Sequence, residues 1–249
     1  VTSVADAERA LVRLCCDTKT PQLESIGLDE EHAKIWGIYR HMVRSRFLEE
    51  GRASLRRTLK AVGDDAFEAT FERFLADAPP RSRAFFGVVP ELAAFAADHW
   101  RGNADMPAWA ADLVAYEGAR VRVADLPSRR DRSVAEFEFD RVPELHDAML
   151  LLSLSHRVHR DPEPDGSYER RPTEICVYRA KDERTVGAYV LGSFAAACMR
   201  AWQEGATVGD SVARVCEARQ IEANAKLIDG LCTVLSDLME RGVVLGSRP

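Results

Sequence analysis

The chain has 249 residues, 46% of them hydrophobic, enough for a sizeable core and more typical of two domains than one. Its formal net charge of -6 argues against a molecule built as a whole to lie on phosphates. Six cysteines without a CxxC pair argue against a zinc cage or disulfide framework, and fit buried thiols in a reducing cytoplasm.

At the start of the chain, Asp6, Glu8 and Arg9 interrupt any apolar run, so no signal-peptide pattern is expected. Cys15 and Cys16 are the only adjacent cysteines, and neighbouring cysteines rarely bridge. Residues 31–62 then read as helical, with Ile35, Ile38, Tyr39 and Met42 on one face and Leu55, Leu59 and Val62 further along. Gly51 is the expected place for a bend or break. Residues 64–76 repeat the helical period through Phe67, Phe71, Phe74 and Leu75 and stop at Pro79-Pro80. The acidic clusters Asp29-Glu30-Glu31 and Asp64-Asp65 suit helix N-termini, and Ser82 suits an N-cap. Two more helices are expected to start at Pro90 and Pro107, the second carrying Trp109, Leu113 and Tyr116.

The polar, basic tract Pro127 to Ser133 reads as a linker between a helical domain, 1–126, and a second domain, 134–249. Beyond it the period changes. Residues 134–140, VAEFEFD, alternate like a half-buried strand, and 148–154 could be another. Residues 160–172 form a loop rich in Pro, Gly and charge. Residues 175–178 and 185–191 read as two strands joined by a Lys181-Asp182-Glu183 turn. Three helices follow. The first carries Phe194, Ala197, Cys198, Ala201 and Trp202 and ends at Gly205; the second has Thr207 as its N-cap. The third runs from Asn224 to Arg241, with Gly242 as its stop. The expected class is α+β: an all-helical domain, then a small winged-helix-like domain with a short antiparallel sheet and three helices.

No GxSxG, P-loop, GxGxxG or HExxH occurs, and nothing assembles a catalytic constellation. The stretch SHRVHRD places His156 and His159 three residues apart. On a strand they would face opposite ways, on a helix the same way, and Pro162 and Pro164 follow at once, so surface or hinge histidines are favoured over a metal site. A DNA-reading helix needs several exposed Arg or Lys residues. The last helix instead sets Lys226 and Arg241 against Asp229, Asp237 and Glu240, and its predecessor balances Arg214 and Arg219 against Asp210 and Glu217.

What remains is a sheet edge able to accept an extended peptide as an added strand. Its candidate residues are Thr185, Val186, Gly187, Ala188, Tyr189, Val190 and Leu191, beside a groove lined by Leu227, Leu231 and Leu235. Alternatively these leucines are core residues and the edge is merely covered; the pattern leaves both open.

Several stretches carry a family resemblance. In the first half they are Tyr39-Arg40 with Arg44, Phe74-Leu75 leading to Pro79-Pro80-Arg81-Ser82, and Pro107 followed by Asp112-Leu113 and Tyr116-Glu117. In the second they are Val177-Tyr178-Arg179, the Gly205 stop and the ending Gly242-Val-Val-Leu-Gly246. In this order and spacing, over most of its length, the chain resembles the HvfC-type partner proteins, which include the partner subunits of methanobactin and thiaglutamate biosynthesis. The resemblance implies a non-catalytic subunit, cofactor-free itself, beside a multinuclear non-heme iron oxidase that carries the iron. It implies binding of the leader of a ribosomal precursor peptide and presentation of its core, often a cysteine. A winged-helix DNA-binding regulator is the alternative expectation, and a metalloenzyme using the histidine pair is a third.

Overall fold

A computed structural model describes residues 15–16, 30–82, 85–127 and 134–248. The chain is mixed α+β and divides into two compact units, Val1–Val121 and Arg122–Pro249. The division falls inside a continuous helix, short of the boundary expected at 126, and residues 128–133 of the expected linker lie outside the described residues.

The first unit holds α1 (Glu30–Ser54), α2 (Arg56–Val62), α3 (Asp64–Asp77), α4 (Phe85–Trp100) and most of α5 (Ala110–Asp125). The break expected at Gly51 occurs instead at Leu55, whose φ of -108° and ψ of 46° leave the helical region. Gly51 stays helical because it is a contact point. A Cβ there would sit 3.1 Å from Cδ2 of Leu92 and 3.5 Å from the Phe67 ring, so glycine lets α1 approach α3 and α4 closely. Asp64 and Asp65 occupy the first turn of α3, where carboxylates favour the helix dipole. Pro90 does not start α4 but lies within it. The buried residues Val88 and Val89 precede it and Leu92 and Ala93 follow, so packing carries the helix through the missing donor.

A buried carboxylate ties this unit together. Glu117 of α5 accepts hydrogen bonds from the backbone N–H of Thr58 at 2.8 Å, the Thr58 hydroxyl at 2.7 Å and the N–H of Arg57 at 3.2 Å. These are first-turn donors of α2 that have no partner inside the helix. The side chain therefore supplies the cap that Leu55, the N-cap residue, cannot.

The second unit contains β1 (Pro143–Leu145), β2 (Met149–His156), β3 (Arg170–Arg179), β4 (Val186–Leu191), α6 (Ser193–Gln203), α7 (Val208–Arg219), α8 (Ala225–Glu240) and β5 (Val244–Ser247). β2, β3 and β4 form an antiparallel sheet in that order, and β1 pairs antiparallel with β5 in a separate two-stranded sheet. Residues 134–140 are not a strand. Only Ala135 bridges, exchanging bonds of 3.0 and 3.1 Å with Ser247, while Glu138 N–H donates to the Ser247 hydroxyl at 2.9 Å. Phe137 packs against the core while Phe139, two residues on, is exposed, so the segment keeps neither the single apolar face of a strand nor a ladder. β5, four residues long and already paired with β1, offers it a single bridge.

The helices close as their caps dictate. Thr207 accepts from Asp210 N–H at 3.0 Å, and Asn224 accepts from Leu227 N–H at 3.0 Å. Trp202, fully buried, donates its indole N–H to the Ser211 hydroxyl at 2.8 Å, which satisfies the polar handle of the largest core residue. The core beneath the sheet is built from Cys176, Tyr178 and Leu191 with Met199, Trp202, Leu231 and Leu235.

Candidate functional site

The hairpin that presents β4 is set by one aspartate. Asp182 accepts from Arg184 N–H at 3.0 Å, Thr185 N–H at 2.8 Å and the Thr185 hydroxyl at 2.6 Å. Thr185 thus belongs to the turn, not to the strand where sequence placed it, and its hydrogen-bonding groups are used inside the hairpin. Hydrogen bonds from Thr185 and its neighbours hold the exposed Asp182 carboxyl below its usual range.

Register decides which backbone groups of β4 are available. Ala180 N–H donates to Thr185 C=O at 2.8 Å, so the 180/185 pair is hydrogen-bonded. In an antiparallel ladder bonded and non-bonded pairs alternate. From the pairing Tyr178↔Gly187, Cys176↔Tyr189 and Glu174↔Leu191, these three β4 residues bond inward to β3. Val186, Ala188 and Val190 occupy the non-bonded positions, so their N–H and C=O groups point off the outer edge. Among the described residues β4 pairs only with β3. Ala188 is exposed and Val190 is 49% exposed.

The other face of β4 is fastened to α8. Tyr189 donates its hydroxyl to Asp237 Oδ2 at 2.6 Å, and the Arg241 guanidinium lies 5.0 Å from the centroid of the Tyr189 ring. Arg241 also donates to the Tyr178 hydroxyl at 3.3 Å. Burial, then the hydrogen bond to the Asp237 carboxylate, pushes the Tyr189 phenol up to about 12. Gly187 makes room for this cluster, since a Cβ would stand 2.6 Å from Cζ of Tyr178. Sequence reasoning missed Tyr178, Asp237 and Arg241; the glycine inside a strand pattern was the available signal of a close approach.

The groove leucines need correction. Leu231 and Leu235 are 4% and 3% exposed and belong to the core beneath the sheet, and Leu227 is half-buried against it. An amphipathic helix announces an apolar face, but here the chain's own sheet and helices fill it. What β4 offers is backbone at its edge, with the side chains of Ala188 and Val190.

The remaining candidates contribute less. His156 is buried within β2 and His159 lies in the turn beyond it. No cluster of three or more His, Cys, Asp or Glu side chains able to hold a metal occurs among the described residues. Burial pushes the thiols of Cys176 and Cys16 up to about 12 and 11, the latter helped by Cys15, which keeps both protonated at neutral pH. Arg219 donates to the hydroxyl and carbonyl of Ser193 at 3.1 and 2.8 Å, so with Arg241 held over Tyr189 two cations of the last two helices are engaged within the unit.

The chain matches no protein-family model, and no curated protein is significantly similar to it. No helix among the described residues is long and apolar enough to cross a membrane.

Proposed function

We propose that this protein is a non-catalytic partner subunit of a multinuclear non-heme iron oxidase in the biosynthesis of a ribosomally made, modified peptide. It binds the leader of the precursor and presents the core, a cysteine, to the oxidase, which carries the iron. The work is cytoplasmic. The three-stranded sheet β2-β3-β4 followed by three helices, with β1 and β5 paired apart from it, is read as winged-helix-like, of the kind that recognises such leaders. The helical unit docks the oxidase.

One observation carries the reading: among the described residues β4 has an unpaired edge, with outward backbone groups at Val186, Ala188 and Val190, and is pinned to α8 from its other face. An extended peptide pairs with such an edge through its main chain, and side chains set the preference. The sequence resemblance agrees with it. The DNA-binding alternative is disfavoured by the engaged arginines and the mixed charge of α7 and α8.

Ala188→Pro is the direct test. The ring removes an N–H that points off the edge, so no bond to β3 is lost. Expected is a roughly tenfold or greater loss of affinity for the leader, read by fluorescence anisotropy, with the unfolding temperature little changed. Unchanged leader affinity rejects the edge as the site. Tight, sequence-dependent DNA binding in a shift assay at physiological salt rejects the function.

A further inference from the structure

Among its described residues, the first unit leaves a group of apolar side chains exposed on one helix. Ile35, Ile38, Tyr39 and Met42 are 59%, 57%, 44% and 62% exposed. Their spacing of three, four and seven residues puts them on one face of α1, about two turns long and roughly 10 Å from end to end. Trp36 packs edge-on against Tyr39 with centroids 5.5 Å apart. Further along the helix the apolar residues turn inward, and Val43, Phe47 and Leu48 pack against the unit's core. The exposed strip therefore sits on a helix whose later turns are fixed.

Charge narrows the occupant. From Lys34 to Leu48 the sequence has no Asp or Glu but has Lys34, Arg40, His41, Arg44 and Arg46, in a chain whose net charge is -6. Arg44 pairs with Glu72, and Arg46 lies 3.7 and 3.9 Å from Glu49 and Glu50. Lys34 and His41 are exposed and, four and three residues from Ile38, flank the strip on one side. A second copy laid antiparallel on this strip would set two stretches without a carboxylate against each other, so neither could offer one to the other's Lys34. Four side chains on a fixed helix are a small foothold on lipid but a suitable anchor for a groove.

We infer that this face of α1 seats in an apolar groove, rimmed by carboxylates, on a partner protein. The inference rests on the function proposed above, and takes that partner to be the iron oxidase. Apolar side chains hold the complex and the basic rim steers it.

The test uses the full chain and the purified oxidase. Ile38→Asp with Met42→Asp is expected to weaken binding about 100-fold in calorimetry, with circular dichroism, unfolding temperature and leader affinity unchanged because both residues are exposed. Lys34→Glu with His41→Glu is expected to slow association about tenfold at low salt, with the difference shrinking at high salt. If wild type binds the oxidase and both variants bind it equally well, the surface is misassigned while the function stands. If wild type does not bind the oxidase at all, function and surface fall together. A wild-type dimer, or binding to anionic vesicles, that the Asp variant abolishes gives the strip a different occupant and overturns the inference.

Discussion

The two units leave different things uncovered. Among the described residues of the helical unit, the large apolar side chains left exposed form a strip on α1. In the second unit the exposed apolar side chains, such as Phe139, Val190 and Leu245, come from separate elements, and what β4 leaves open among the described residues is mainly main chain at its edge. Side chains discriminate by shape and charge, so a surface made of them suits one constant partner. Backbone groups are the same in every peptide, so an edge made of them accepts many sequences with modest preference. The contrast matches a subunit that keeps one protein partner and receives a peptide.

The contrast can be strained hardest inside the helical unit. Glu117→Ala removes the acceptor of three buried or half-buried donors at the start of α2. Leaving them unsatisfied is expected to cost about 3 kcal/mol, read by chemical denaturation, with faster hydrogen exchange in residues 56–62. If exchange there is unchanged, the carboxylate is not what holds α2. In the second unit, Gly187→Ala drives a methyl into the Tyr178 ring and is expected to destabilise by about 2 kcal/mol. Rotation of the ring at no cost, seen as unchanged stability, would mean that the cluster is looser than its geometry.

A smaller effect, about 1 kcal/mol, is expected for Tyr189→Phe, which deletes the bond to Asp237. This variant also has a pH signature. The Tyr189 phenol is raised to about 12 in the folded chain, above the roughly 10 of an unfolded tyrosine. The folded state then holds its proton where the unfolded state loses it, so this stabilisation is present below pH 10 and is lost as pH rises toward 12. Phenylalanine should remove that part of the alkaline decline, and parallel decline in both proteins would break the proposed link between β4 and α8.

Helical periods and caps were readable from sequence because they are local. Thr207 and Asn224 sit where polar N-caps belong, and Asp64-Asp65 where a helix dipole favours acid. What failed depended on remote partners. Gly51 has the sequence look of a hinge, yet Leu92 and Phe67 make it a contact. Residues 135–140 alternate, but a strand needs a partner, and β5 gives the segment one bridge. The short strands β1 and β5 are too brief to announce themselves. At the candidate site, alternation and the Asp182 turn pointed to β4, while the burial of Leu231 and Leu235 needed the packed core. Which β4 amides face outward is a matter of ladder parity, and no single-strand pattern contains it.

That parity has one more consequence. Val186, Ala188 and Val190 repeat every second residue, over roughly 13 Å. A guest strand moved along this edge by two residues finds nearly the same set of donors and acceptors, so hydrogen bonding alone barely distinguishes one alignment from the next. Alignment must be fixed by something without that period, and the exposed Val190 side chain supplies a landmark. A guest that lacks a residue to fit it would remain bound yet slide, delivering a blurred distribution of positions downstream where a single one is needed.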